Sequence, residues 1–229
     1  MIKENLLKIH EKINNIKTKL NINYQIQLMC VSKTRSIDEI IEAINAGQFL
    51  FGENRILEAY EKFNSDKIKN KKHELHIIGH LQRNKTKKAV EISSMIQSID
   101  KIETLDALNS ICKEKNKKID YLIEINTSLE SQKYGILPNN YNQFLEKIIN
   151  KSYNYCNLRG LMTIGPFTSD IKKIKYSFNQ LSNIFNSIKE DIKKNDFNIL
   201  SMGMSNDYEI AIEEGSNLIR IGTFIFGNR

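Results

Sequence analysis

The sequence predicts a closed (β/α)8 barrel, one domain over residues 1–229, with an extra helix at its N-terminus. Three observations predict it. Short apolar runs alternate with helical patterns eight times along the chain. Strands separated by helices pair in parallel through crossover connections. A length of 229 residues suits one barrel of eight such units. A doubly wound open sheet is the competing arrangement, and the strand count argues against it.

The elements follow in order. Ile2, Leu6, Ile9, Ile13, Ile16 and Leu20 recur at spacings of three and four, which gives a helix with one apolar face. It is predicted to end near residues 21–23 and to cover the barrel wall where an eighth crossover helix is missing. The predicted strands are 26–32, 49–52, 76–79, 95–99, 121–126, 158–164, 200–203 and 218–222. Helices are predicted to begin near Ser36, Glu53, Asn84, Lys101, Pro138, Asp170 and Ser205. The stripe of Phe178, Leu181, Ile184, Phe185 and Ile188 has helical spacing and reads as core packing.

Composition narrows the function classes. Hydrophobic residues are 40% and charged residues 27%, ordinary for a soluble globular protein. No apolar run approaches the roughly 20 residues of a membrane span. The charged start, Met1-Ile2-Lys3-Glu4-Asn5, is not that of a secretory signal. Cys30, Cys112 and Cys156 lack CxxC spacing and read as reduced thiols in a cytoplasmic protein. The net charge of +7 raises nucleic acid as a partner. The lysines are scattered, however, and the densest stretch, residues 67–72, has no aromatic interleaving. The expectation is a cytoplasmic monomer with a small-molecule ligand, no nucleic acid and no membrane.

Active sites of such barrels lie at the C-terminal ends of the strands. The first strand runs directly into Lys33. Desolvation there favours the neutral amine, the form that attacks an aldehyde to give a Schiff base, while position alone favours a lysine that snorkels to solvent at a strand end. The second strand leads to Glu53 and Asn54; Asn54 can bond a ligand ring, and Glu53 reads equally as a first-turn helix acid. Gly79, closing the third strand, allows close backbone approach.

Loops after strands seven and eight are the usual phosphate site of these barrels. Here they carry Met202, Gly203 and Ser205, then Gly222 and Thr223. Ser205 is placed to cap the next helix. Arg220, in an otherwise apolar strand, needs a buried partner: an anion, a ring nitrogen or an internal carboxylate. From these residues alone the ligand is phosphorylated and a Schiff base is open to it. A phosphate-binding barrel of another kind, such as an aldolase, fits as well. His73, His76 and His80 are not expected to converge on a metal, and Asp38-Glu39 and Glu213-Glu214 read as solvated helix charges.

The chain resembles the YggS/PROSC family of pyridoxal phosphate homeostasis proteins over nearly its whole length. The resemblance is carried by Val31-Ser32-Lys33-Thr34, Phe51-Gly52-Glu53-Asn54, and His76-Ile77-Ile78-Gly79 with Leu81-Gln82 and Asn84-Lys85. Toward the C-terminus it continues through Arg159-Gly160-Leu161-Met162, the run from Leu200 to Ser205, and Arg220-Ile221-Gly222-Thr223 with Phe226-Gly227.

The resemblance implies a barrel of the alanine-racemase N-terminal type and pyridoxal 5′-phosphate (PLP) as cofactor, held on Lys33 as an aldimine. It implies phosphate contacts at Ser205, Gly222 and Thr223 beside Met202 and Gly203, Arg220 facing the pyridine nitrogen, and Asn54 near the ring. It also implies a role in vitamin B6 and amino-acid homeostasis, with PLP-dependent enzymes as clients. Arg55, His80 and Tyr134 depart from the family's usual aromatic, proline and serine, all around the barrel mouth.

Arginine only donates, so a ring nitrogen facing Arg220 is unprotonated and a poor electron sink. Racemisation also needs a second acid–base group opposite Lys33. The sequence runs to Arg229, directly after strand eight, and no further domain is expected to supply one. The expectation is therefore a PLP carrier without catalytic residues, and a low-activity amino-acid racemase is the alternative.

Overall fold

In the computed structural model, which describes residues 1–227, the strands close into a ring in sequence order. They are β1 (Gln27–Val31), β2 (Leu50–Glu53), β3 (Glu74–Ile77), β4 (Met95–Ile99), β5 (Ile119–Glu124), β6 (Cys156–Met162), β7 (Ile199–Ser201) and β8 (Leu218–Ile221). Every neighbouring pair is parallel, and β1 closes on β8 with Met29 opposite Arg220 and Cys30 opposite Ile221. The predicted barrel is the observed one. Individual strands start or stop up to two residues from their predicted limits, because apolar periodicity does not mark where ladder pairing ends.

The helices are α1 (Ile2–Lys19), α2 (Ile37–Asn45), α3 (Ile56–Phe63), α4 (Thr86–Ile92), α5 (Ile102–Glu114), α6 (Tyr141–Ile149), α7 (Ile171–Ile192), α8 (Tyr208–Glu213) and α9 (Thr223–Phe226). Ser36 opens α2 through a reciprocal capping box with Glu39, which satisfies two otherwise orphan donors. α1 buries Ile2, Leu6, Ile9 and Ile13 against α2, α8 and α9, while Leu20 falls outside the helix and is exposed. α9, a single turn after β8, is not predicted, since four residues carry no periodicity. The stripe on α7 is core: Phe178, Leu181, Ile184, Phe185 and Ile188 are all buried. No helix among the described residues is long and apolar enough to cross a membrane.

Alternation along each strand divides the apolar residues into two sets. One faces the helices and forms the main core. The other fills the barrel interior, as Met29, Leu50 and Leu218 on one side and Met95, Leu122 and Met162 on the other. Above this apolar floor the inward positions turn polar, and that change positions the site.

Candidate functional site

Lys33 lies two residues beyond β1 and is half-buried. The residues on either side of it are held from β2 and α3. Glu53 is fully buried at the end of β2 and accepts from Ser32 Oγ at 2.8 Å. Lys62, buried on α3, donates to the Ser32 carbonyl at 2.9 Å and to Glu53 Oε1 at 3.1 Å, and also pairs with Glu58. Glu58 in turn accepts from the Thr34 N–H. Thr34 has φ 63°, left-handed backbone that a β-branched residue rarely adopts. Glu53 is thus no helix first-turn acid: α3 begins three residues later, and its carboxyl sits among buried groups. Burial pushes its pKa up against the pull of Lys62.

Asn54, immediately after β2, is exposed. A Cβ on Gly79 would stand 2.2 Å from the Asn54 carbonyl oxygen, so the close approach allowed by Gly79 is to the chain at Asn54. Met202 and Gly203 follow β7 and are buried. Gly203 has φ +93°, and a Cβ on it would lie 2.5 Å from that of Ala211; only glycine passes so close to α8. Ser205 does not cap α8. The helix begins at Tyr208 behind Asp207, whose carboxylate turns back to accept from the Met204 N–H at 2.5 Å. Ser205 is left half-buried in the loop. Gly222 and Thr223 follow β8, and a Cβ on Gly222 would meet the Val31 carbonyl oxygen at 3.2 Å. The β8 loop therefore sits beside the stretch that leads into Lys33.

Arg220 is 3% exposed. It donates to Ser201 Oγ at 2.7 Å and to the Thr163 carbonyl at 2.7 Å, so its direct partners are a hydroxyl and a carbonyl rather than a carboxylate. Burial pushes its pKa down to about 10, with Asp207 and Glu124 opposing. The Ser201 hydroxyl donates in turn to Gln97 Oε1 at 2.7 Å. The Gln97 amide nitrogen then lies 2.9 Å from His76 Nδ1, and His76 Nε2 lies 2.9 Å from Glu74. Followed from the arginine, every group donates in the same direction. This assigns the Nε2–H tautomer to His76.

His76 is accordingly an inward residue in the middle of β3, not the residue that opens it. His73 Nδ1 donates to the Lys71 carbonyl at 2.8 Å, and His80 stacks on Tyr134 at 3.9 Å between ring centroids. Among the described residues no three metal-ligating side chains come together.

Glu124 ends β5, four strands from β1 in either direction around the ring. Leu122 below it faces the interior, so alternation turns Glu124 inward as well. It is 4% exposed. Burial, reinforced by Asp100, pushes its pKa up to about 7, with Arg220 opposing. Sequence reading overlooked Glu124, Gln97, His76, Ser201 and Lys62 as site residues. The first four share one legible signal: a polar residue at an inward position of an apolar strand.

Residues 5–229 match the family model described as alanine racemase, N-terminal domain. The pyridoxal phosphate homeostasis protein of Pasteurella multocida (strain Pm70) is 37% identical over 229 residues, covering 100% of this chain and 97% of that protein. The chain belongs to this family. The human pyridoxal phosphate homeostasis protein is 36% identical, over 90% of this chain and 77% of its own. PipY of Synechococcus elongatus PCC7942, solved with PLP bound, superposes with a TM-score of 0.85 at 28% identity, covering 99% of this chain and all of PipY. Without PLP the TM-score is 0.88. Alanine racemase of Clostridium difficile 630 shares the fold at 18% identity and a TM-score of 0.69, and the match covers 55% of that enzyme.

Proposed function

We propose that this protein holds pyridoxal 5′-phosphate, linked through its aldehyde carbon to Lys33, and carries it in vitamin B6 and amino-acid homeostasis without turning over a substrate. The observation that carries the reading is the adjacency of Lys33 to the β8 loop. β1 pairs with β8 in register, so an amine and an anion-suited loop stand side by side at the C-terminal end of the barrel. The names of the Pasteurella and human relatives and the PLP-bound structure of PipY support the same ligand.

The residues fit the cofactor. Ser205 and Thr223 offer hydroxyls. The opening N–H groups of α9 have no acceptor inside the helix, and Gly203 and Gly222 keep the backbone free of side chains where a phosphate enters. Met202 backs the loop from the core. Arg220, locked by Ser201 and Thr163, presents donors to a ring nitrogen, and Asn54 borders the ring. When bound, the cofactor supplies an electrophilic carbon that accepts amines. The protein's part is to hold it, and residues 1–229 act as one domain in doing so. A monomer in the cytoplasm, with PLP-dependent enzymes as clients, completes the proposal; the buried free Cys30, Cys112 and Cys156 suit that compartment.

The test is to add PLP, remove the excess, record the visible spectrum, reduce with borohydride and locate the modified peptide. A yellow band and a label confined to Lys33 are expected, both lost in Lys33→Ala. Label spread over surface lysines overturns the reading. Racemisation of amino acids is expected to be no faster than with Lys33→Ala, and Lys33-dependent turnover would make the protein a racemase.

A further inference from the structure

The β3–β5 side of the mouth lies away from the phosphate loops and gathers buried polar atoms that have nothing to bond. Asp100 Oδ1 and His80 Nδ1 are buried without hydrogen-bond partners, and the Asp100 side chain is only 7% exposed. Glu124 is nine-tenths buried, turned inward, and makes no side-chain hydrogen bond or ion pair among the described residues. Asp100 Oδ2 takes a single long contact, 3.4 Å, from the Gly135 N–H. It stands 3.9 Å from His80 Nδ1, beyond hydrogen-bonding reach. Two carboxyls this buried and this poorly bonded are costly, and their natural complement is a cation with several N–H donors.

A divalent metal is not that complement, since no three ligating side chains converge among the described residues. Arg220 is not either, for its bonds run to Ser201 and Thr163. A primary ammonium brings three donors, and the Tyr134 ring stacked on His80 borders the space with an aromatic surface suited to a cation. We propose that Glu124 and Asp100 form an ammonium subsite, which receives the protonated primary amine of a second ligand beside the bound cofactor. The proposal rests on the cofactor reading above, because the cofactor defines which half of the mouth remains open. The other ionisable groups of this mouth are His80, with Tyr134 stacked on it, and Arg220, which Asp207 faces with Lys133 beside it; Lys33 follows β1.

The experiment uses full-length protein loaded with PLP and reduced with borohydride, so that no turnover is possible. The fluorescence of the reduced pyridoxyl group is followed while ethylammonium chloride is added at constant ionic strength. Sodium chloride and ethanol serve as controls. A saturable response to ethylammonium alone is expected. Its affinity should fall by up to about tenfold from pH 8 to pH 6, as Glu124 takes up its proton. In Glu124→Gln the affinity should drop by at least about tenfold and lose that pH dependence, and Asp100→Asn should weaken it as well. A thermal melt confirms that both variants fold. No saturation, or the same binding in Glu124→Gln, overturns the subsite while leaving the cofactor reading intact. A reduced label found away from Lys33 overturns the cofactor reading, and the subsite with it.

Discussion

Lys62 Nζ donates to the Ser32 carbonyl oxygen at 2.9 Å, so a buried ammonium on α3 fixes the backbone one residue before Lys33. The same ammonium bonds Glu53 and Glu58, and Glu58 fixes the backbone one residue after it, at Thr34. The backbone on both sides of Lys33 is therefore held by side chains from α3. Lys62→Met should leave two carboxylates without their cation. The expected cost is about 3–5 kcal/mol, the range for breaking a buried ion pair by removing one partner. Urea denaturation reads that cost directly. Borohydride trapping on the fraction that remains folded should show slower labelling of Lys33, and Lys62→Arg should recover part of both.

The chain from Arg220 through Ser201, Gln97 and His76 to Glu74 spans the barrel interior with one donor per link. Gln97→Leu keeps the approximate volume but strands the Ser201 hydroxyl proton and His76 Nδ1. Each unsatisfied buried group costs about 1–3 kcal/mol, so the variant should lose several degrees of melting temperature. Its cofactor band should also shift, because Arg220 would lose the fixed hydroxyl that orients it. An unchanged melt and an unchanged band would mean that Ser201 and His76 find other partners.

Gly203 passes the α8 backbone at a distance no side chain permits: a Cβ would stand 2.9 Å from the Tyr208 Cα, and φ is +93°. Gly203→Ala should push the β7 loop outward and strain its backbone. The expected result is a loss of about 1–3 kcal/mol in stability, with a larger proportional loss of PLP affinity. Equilibrium dialysis against PLP and against inorganic phosphate would show whether the loss lies at the phosphate end.

The barrel was legible in the sequence because its signal is repeated: eight apolar runs set by ladder pairing, each followed by a helix with its own amphipathic stripe. That Lys33, Gly203, Gly222 and Thr223 stand just beyond strand ends was legible for a related reason, since the same apolar runs mark those ends. The Lys62 grip was not. Its members come from a strand end, a helix and a turn, separated by up to thirty residues, and a lysine on a helix reads as solvated until its neighbours are known. Ser205 misled because a serine before a helix pattern is an ordinary cap, whereas the tight turn at Gly203 delays α8 until Tyr208. Glu124 lies inside the run 121–126 and carries no motif of its own, although it ends β5 in the structure. Only the closed ring reveals that this end is buried and faces inward.

The buried Glu124 carboxyl also sets a pH dependence of stability. Its folded pKa is pushed up to about 7 by burial, above the value of about 4.3 for a free glutamate. Between these two values the folded state holds a proton that the unfolded state has released, so stability contributed by this group falls as pH rises from about 4.3 to 7. Glu124→Gln cannot ionise and escapes the loss. Relative to the native protein, the variant should gain about 2–3 kcal/mol between pH 5 and pH 8, read as the difference in urea midpoints at the two pH values. Asp207, raised by burial in the same way, stays intact in both proteins and cancels from the comparison. A constant difference between the two proteins across that range would place the Glu124 carboxyl in contact with water and remove the electrostatic basis of the ammonium subsite.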